Sequence, residues 1–133
     1  MEDAPSKYNS GRDFTSLDAW RKARVLKLFF YNEVIPKLPP EEKYNLNVQI
    51  RKASISSTAN IAEGYGRYHY QDAMQFYRVS RASVYELKDH LISCLDLKFI
   101  SDDAFQKGVT LIESTKVTLN GFINFVKDQK KKE

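Results

Sequence analysis

All four prolines of this chain fall at or before residue 40, at Pro5, Pro36, Pro39 and Pro40. Proline lacks a backbone donor and clashes with the preceding helical turn, so long helices are confined to the stretches it avoids. Everything after Pro40 is free of that restriction. Glycine is also scarce, with five among 133 residues. No stretch shows the period-two alternation of a half-buried strand, whereas apolar residues recur at steps of three and four. The chain is therefore expected to be all-α. Its length fits one domain with an ordinary hydrophobic core.

The periodicity predicts four helices. Residues 1–13 read as a polar arm. Phe14 and Leu17 then bracket Thr15-Ser16, hydroxyls placed to cap a first helix with Asp18 in its first turn. Leu17, Trp20, Ala23, Leu26, Phe30 and Val34 form its apolar row, and it extends to about Lys37. Val25, Leu28, Phe29 and Tyr31 widen that face enough to need a second partner. Leu38-Pro39-Pro40-Glu41-Glu42 makes a turn and restarts a helix at about Glu41, with acidic residues where the helix dipole is positive. Leu46, Ile50, Ala53, Ser57 and Ile61 share one side of this second helix. Gly64 and Gly66 are expected to end it by adopting the left-handed conformation.

A third helix is expected from Gln71 or Asp72 to about Leu97, with Tyr77, Val84 and Leu91 in one heptad row and Ser80, Leu87 and Cys94 in another. Ser101 is placed to cap a fourth, which carries Phe105, Val109, Ile112, Leu119, Ile123 and Val126. Residues 14–126 thus form the expected domain, an up-down-up-down, antiparallel four-helix bundle. Residues 127–133 make a basic tail.

Several chemistries find no support in these residues. A di-iron carboxylate site needs Glu-x-x-His motifs, and none of Glu33, Glu63, Glu86 and Glu113 has a histidine three positions on. His90 and Cys94 share a helix face but lack further ligands, so neither metal nor cofactor is expected. Ser54, Ser56 and Ser57 lie within a helix rather than on the turn that exposes a nucleophilic serine. No Gly-rich loop with a lysine is present to cradle phosphates, and Gly64-x-Gly66 alone reads as a helix stop. The chain is not expected to be an enzyme. Lone Cys94 excludes an internal disulfide. With no signal-like N-terminus and no apolar run of membrane length, a cytoplasmic location is expected.

The formal net charge is +4. Arg51, Lys52, Arg67, Arg78, Arg81 and Lys88 spread over the middle two helices and their connector, with Tyr65, Tyr68, His69, Tyr70 and Tyr77 among them. Cations neutralise phosphates and aromatic faces stack on unpaired bases, so eight of these positions are candidates for nucleic-acid contact: Arg51, Lys52, Arg67, Arg78, Arg81 and Lys88 for phosphates, with Tyr68 and His69 for bases. A solvated helix surface rimmed by tyrosines explains the same composition. Asn60 and Glu63 need polar partners if they face inward, because an unpaired buried amide or carboxylate is costly. They are expected to form a structural polar network with Arg51, Arg67 or a serine.

Four runs of residues carry a family resemblance. They are Phe14-x-x-Leu17-x-x-Trp20-x-Lys22-Ala23, Leu38-Pro39-x-x-Glu42-x-Tyr44-x-Leu46, Gln49-Ile50-Arg51-x-Ala53-x-Ile55-Ser56 and Asn60-Ile61-Ala62-Glu63-Gly64. The chain resembles the bacterial four-helix-bundle proteins encoded by intervening sequences in large-subunit ribosomal RNA genes. Relatives of these serve as the accessory variability determinant (Avd) of diversity-generating retroelements. Phe76, Ala82-Ser83, Glu86-Leu87 and Leu97-x-Phe99-Ile100 extend the likeness, with Ala82 where the family pattern has glycine. The resemblance implies a ring-like homopentamer. It also implies a basic surface for RNA or DNA, and a non-catalytic role assisting a reverse transcriptase or binding structured RNA. The rival expectation is a self-assembling interaction module without a nucleic-acid role. In that case Val25, Leu28, Phe29 and the small residues of the second helix would make subunit contacts.

Overall fold

The computed structural model of the protein describes residues 13–67 and 69–132. Residues 1–12 of the expected arm and Tyr68 lie outside the described residues. Four α-helices account for most of the chain: α1 (Asp18–Phe29), α2 (Leu46–Tyr65), α3 (Tyr70–Asp96) and α4 (Asp102–Lys132). Helix α1 packs against α2 and α4, and α3 packs against the same two. Each helix therefore has two neighbours around one core, with Leu26, Phe30, Ile50, Ile61, Leu87, Leu91, Ile112 and Leu119 fully buried. Both heptad rows of α3 are buried as their spacing predicts. The basic segment Lys127–Lys132 continues α4 as helix.

The helix ends depart from expectation in three places. Asp13, rather than the Thr15-Ser16 pair, supplies the side-chain cap. Its carboxylate accepts from the Thr15 amide at 2.9 Å and caps a single 3-10 turn, Phe14–Ser16, ahead of α1. The chain stays helical beyond α1 through a wide π-type turn (Phe30–Val34) and a 3-10 turn (Ile35–Lys37). Proline then pushes the residue before it into extended backbone: Leu38 has ψ 137 ahead of Pro39, and Pro39 has ψ 161 ahead of Pro40. The second helix begins at Leu46, not Glu41. Glu42 lies in a preceding 3-10 turn and accepts from the Leu46 amide at 3.2 Å and the Asn45 side chain at 3.0 Å.

The third departure concerns Gly64 and Gly66, neither of which has positive φ. Gly66 closes α2 in right-handed backbone, and Gly64 lies within the helix for a steric reason. A Cβ there would sit 2.5 Å from Tyr77 Cε1 and 3.0 Å from the Ala73 carbonyl oxygen. The left-handed turn instead belongs to Lys98, with φ 64, at the end of α3. Phe99 N donates to Cys94 O at 2.8 Å and Lys98 N to Leu95 O at 3.0 Å, the paired bonds of a Schellman cap. Ser101 caps α4 as its position predicts, its hydroxyl accepting from the Ala104 amide at 3.1 Å.

The small residues of α2 serve its contact with α3. Ser80 donates its hydroxyl to the Ser57 carbonyl at 2.6 Å, and the Ser56 and Ser83 hydroxyls lie 2.7 Å apart. Side chains this short let the two backbones approach, and the hydroxyls satisfy one another inside the seam. Ser54 is the exception: its hydroxyl is buried without a partner among the described residues. Phe29 also departs from its expected role. It is 3 % exposed, stacked edge-on against Phe30, and does not face outward as an apolar surplus.

Candidate nucleic-acid interface

Of the eight candidate positions, Tyr68 lies outside the described residues and the other seven do not form one patch. Arg51 and Lys52 are exposed near the start of α2. Arg51 donates to the Asn47 side chain at 2.6 Å, and its guanidinium lies 5.1 Å from the Tyr31 ring centroid. Arg67 lies past the other end of that helix, on the order of 24 Å away at about 1.5 Å per residue. One phosphate cannot bridge that span.

Arg81 and Lys88 are turned toward α4. Arg81 donates to the Asn120 side chain at 3.2 Å, and the Lys88 ammonium contacts Glu113 at 3.1 Å. Glu113 also pairs with Lys116 at 3.3 Å. Hydrogen bonds from Lys88 and then Lys116 hold its carboxyl below the usual glutamate range. These cations already have protein partners, and they clip two helices together.

The remaining positions gather at the end of the molecule where α2 passes into α3. Arg67 pairs with Glu63 at 2.9 Å and lies 4.6 Å from the Phe76 ring centroid. Glu63 is thus exposed and spends its charge on the helix surface. The inward-facing network expected of it is made by Asn60 alone. The Asn60 amide donates to the Ser56 carbonyl at 2.9 Å and to the Ser56 hydroxyl at 2.8 Å. Through Ser56 it reaches Ser83 on α3. His69 is exposed in extended backbone immediately before α3.

Tyr70, the first residue of α3, separates two clefts. One, of about 470 Å³, is lined by Arg67, His69, Tyr70, Ala73, Val126, Gln129 and Lys130. The other, of about 430 Å³, is lined by Tyr70, Gln71, Asp72, Met74, Gln75 and Arg78. Arg78 is exposed and has no hydrogen-bond or ion-pair partner among the described residues. The Lys130 ammonium lies 5.7 Å from the centroid of the Tyr70 ring.

Lys130 is the residue that reasoning on the sequence missed, because Lys127–Lys132 read as a tail. A signal was present. Phe122, Val126 and Lys130 follow one another at four-residue steps, and Phe122 meets Tyr77 edge-on at 4.8 Å. Seven residues along α3 from Tyr77 is Tyr70, so the same face of α4 carries Lys130 to it. Among the described residues, no three His, Cys, Asp or Glu side chains are grouped to hold a metal ion, and no helix is long and apolar enough to cross a membrane.

Four helices around one core, with cations concentrated about a tyrosine at one end, define an all-α bundle protein with a basic, aromatic tip. Over residues 15–121 the chain matches the family of 23S rRNA-intervening sequence proteins. It belongs to that family. Comparison with curated proteins gives no match.

Proposed function

We propose that this protein is a non-catalytic, oligomeric nucleic-acid-binding accessory protein of the cytoplasm. Its partner is structured RNA, or the nucleic acid handled by a reverse transcriptase that it assists. The observation that carries this reading is the meeting of Arg67 and His69 from the connector, Arg78 from α3 and Lys130 from α4 around Tyr70. Charges drawn from three parts of the sequence to one end give a polyanion a place to dock. The order of the helix contacts supports the antiparallel, up-down-up-down form of the bundle. Ser57 meets Ser80 and Ser56 meets Ser83, Arg81 meets Asn120 and Lys88 meets Glu113, and Lys22 meets Thr115 and Glu33 meets Lys107, so residue numbers rise on one helix as they fall on its neighbour.

A ring-like homopentamer is the proposed assembly. Exposed apolar side chains on three helices favour self-association: Ile55 on α2, Tyr85 and Ile92 on α3, Val117 and Phe125 on α4. Val117 is 71 % and Phe125 58 % exposed, which leaves large apolar groups in water unless another surface covers them. The same side chains support the second reading, a self-assembling interaction module whose basic tip binds nothing.

Mobility-shift titration with structured RNA at two salt concentrations separates the readings. Binding that weakens as salt rises is the expected result, because each neutralised phosphate releases counterions. Absence of binding at low salt would remove the nucleic-acid role and leave the interaction module. Light scattering on the same sample is expected to report a multiple of the chain mass. A strict monomer would remove the assembly from both readings.

A further inference from the structure

The two clefts beside Tyr70 carry similar equipment. Arg67, Lys130 and Gln129 line one, and Arg78, Gln71 and Gln75 line the other. Cations and side-chain amides therefore flank a single aromatic ring on both sides. Each cleft falls within the roughly 300–1,000 Å³ range typical of small-ligand sites. Resting on the nucleic-acid reading above, we infer that this tip holds a single-stranded segment, with an unpaired base stacked at Tyr70 and its neighbouring phosphates on either side.

The chemistry favours a single strand over a duplex. A partly buried ring that lines two clefts reaches a base only if that base has left its own stack, whereas a duplex offers its phosphates and keeps its bases inside. Amides both donate and accept, so Gln71, Gln75 and Gln129 suit any base edge. On one side the phosphate falls to Lys130, because Arg67 already shares its charge with Glu63 at 2.9 Å. On the other it falls to Arg78, with the Asp72 carboxylate in the same cleft limiting how deep a phosphate settles.

Fluorescence anisotropy on the full chain tests the site, with a labelled oligouridylate as the probe and its duplex with oligoadenylate as the comparison. The single strand is expected to bind more tightly than the duplex. Tyr70→Leu keeps an apolar side chain but removes the ring, and is expected to weaken single-strand binding by about tenfold. Tyr70→Phe keeps the parent affinity. Lys130→Gln and Arg78→Gln are each expected to lower the salt slope by about 0.7. These two are surface changes, so they decide the phosphate positions even if Tyr70→Leu unfolds the protein. Equal binding of duplex and single strand, or unchanged affinity in a folded Tyr70→Leu, overturns the stacking site while the broader nucleic-acid role stands. Failure of the parent protein to bind either probe overturns the stacking site, and the structured-RNA titration then decides the broader role.

Discussion

Gly64 and Gly121 are both helical glycines, yet opposite constraints act on them. A Cβ at Gly64 would meet the buried Tyr77 ring at 2.5 Å and backbone oxygen at 3.0 Å, and neither can move without opening the α2–α3 seam. A Cβ at Gly121 would meet nothing within 4 Å. Gly64→Ala is expected to destabilise the fold by about 1–3 kcal/mol through overpacking. Gly121→Ala is expected to stabilise it by about 1 kcal/mol through helix propensity. Urea denaturation of both variants measures this, and shifts of the same sign would contradict the assignment. The sequence placed Gly121 inside an expected helix and Gly64 at an expected helix end. It could not show which one has a neighbour.

At the scale of elements, α3 and α4 are joined by charge as well as by apolar packing. Glu113 sits between Lys88 of α3 and Lys116 of its own helix, and its carboxyl is held below the ordinary value of 4.5. A carboxyl with a lowered folded-state pKa contributes stability that is fully present above its unfolded value. That contribution is lost as pH falls through the folded value. Glu113→Gln is therefore expected to melt below the parent protein at neutral pH. As pH falls well below that ordinary value the gap should narrow, because the parent carboxylate is then being protonated as well. Parallel melting curves across that range would contradict the clip. The pair is exposed, so the effect is small. Periodicity placed Lys88 and Glu113 on predicted helices but could not say that the two helices bring them together.

The scale of the whole molecule is reported by Cys94. It is fully buried in the common core, and burial, followed by the charge of Glu42, pushes its thiol up to about 11. Only the thiolate is reactive, so the folded protein protects this sulfur both by access and by protonation. A thiol reagent is expected to label Cys94 at a rate that follows global unfolding and rises with denaturant. Rapid labelling of the native protein without denaturant would mean that the four helices do not close over this position.

The sequence by itself determined the all-α class, the number of helices and most of the core. Those properties follow from local rules: prolines confined before residue 41, apolar steps of three and four, and heptad rows that α3 buries as spaced. Helix ends were less legible, because Asp13 and Glu42 cap from turns that have no apolar period. The tip was the least legible. Eight positions looked equivalent in the sequence, but folding tied Arg81 and Lys88 to α4 and left Arg51 and Lys52 at the far end. It also carried Lys130, some sixty residues along the chain, to the ring of Tyr70. Residue type and spacing fix which face of a helix a side chain occupies. Which other face it meets depends on how the helices pack, and only the tertiary structure decides that.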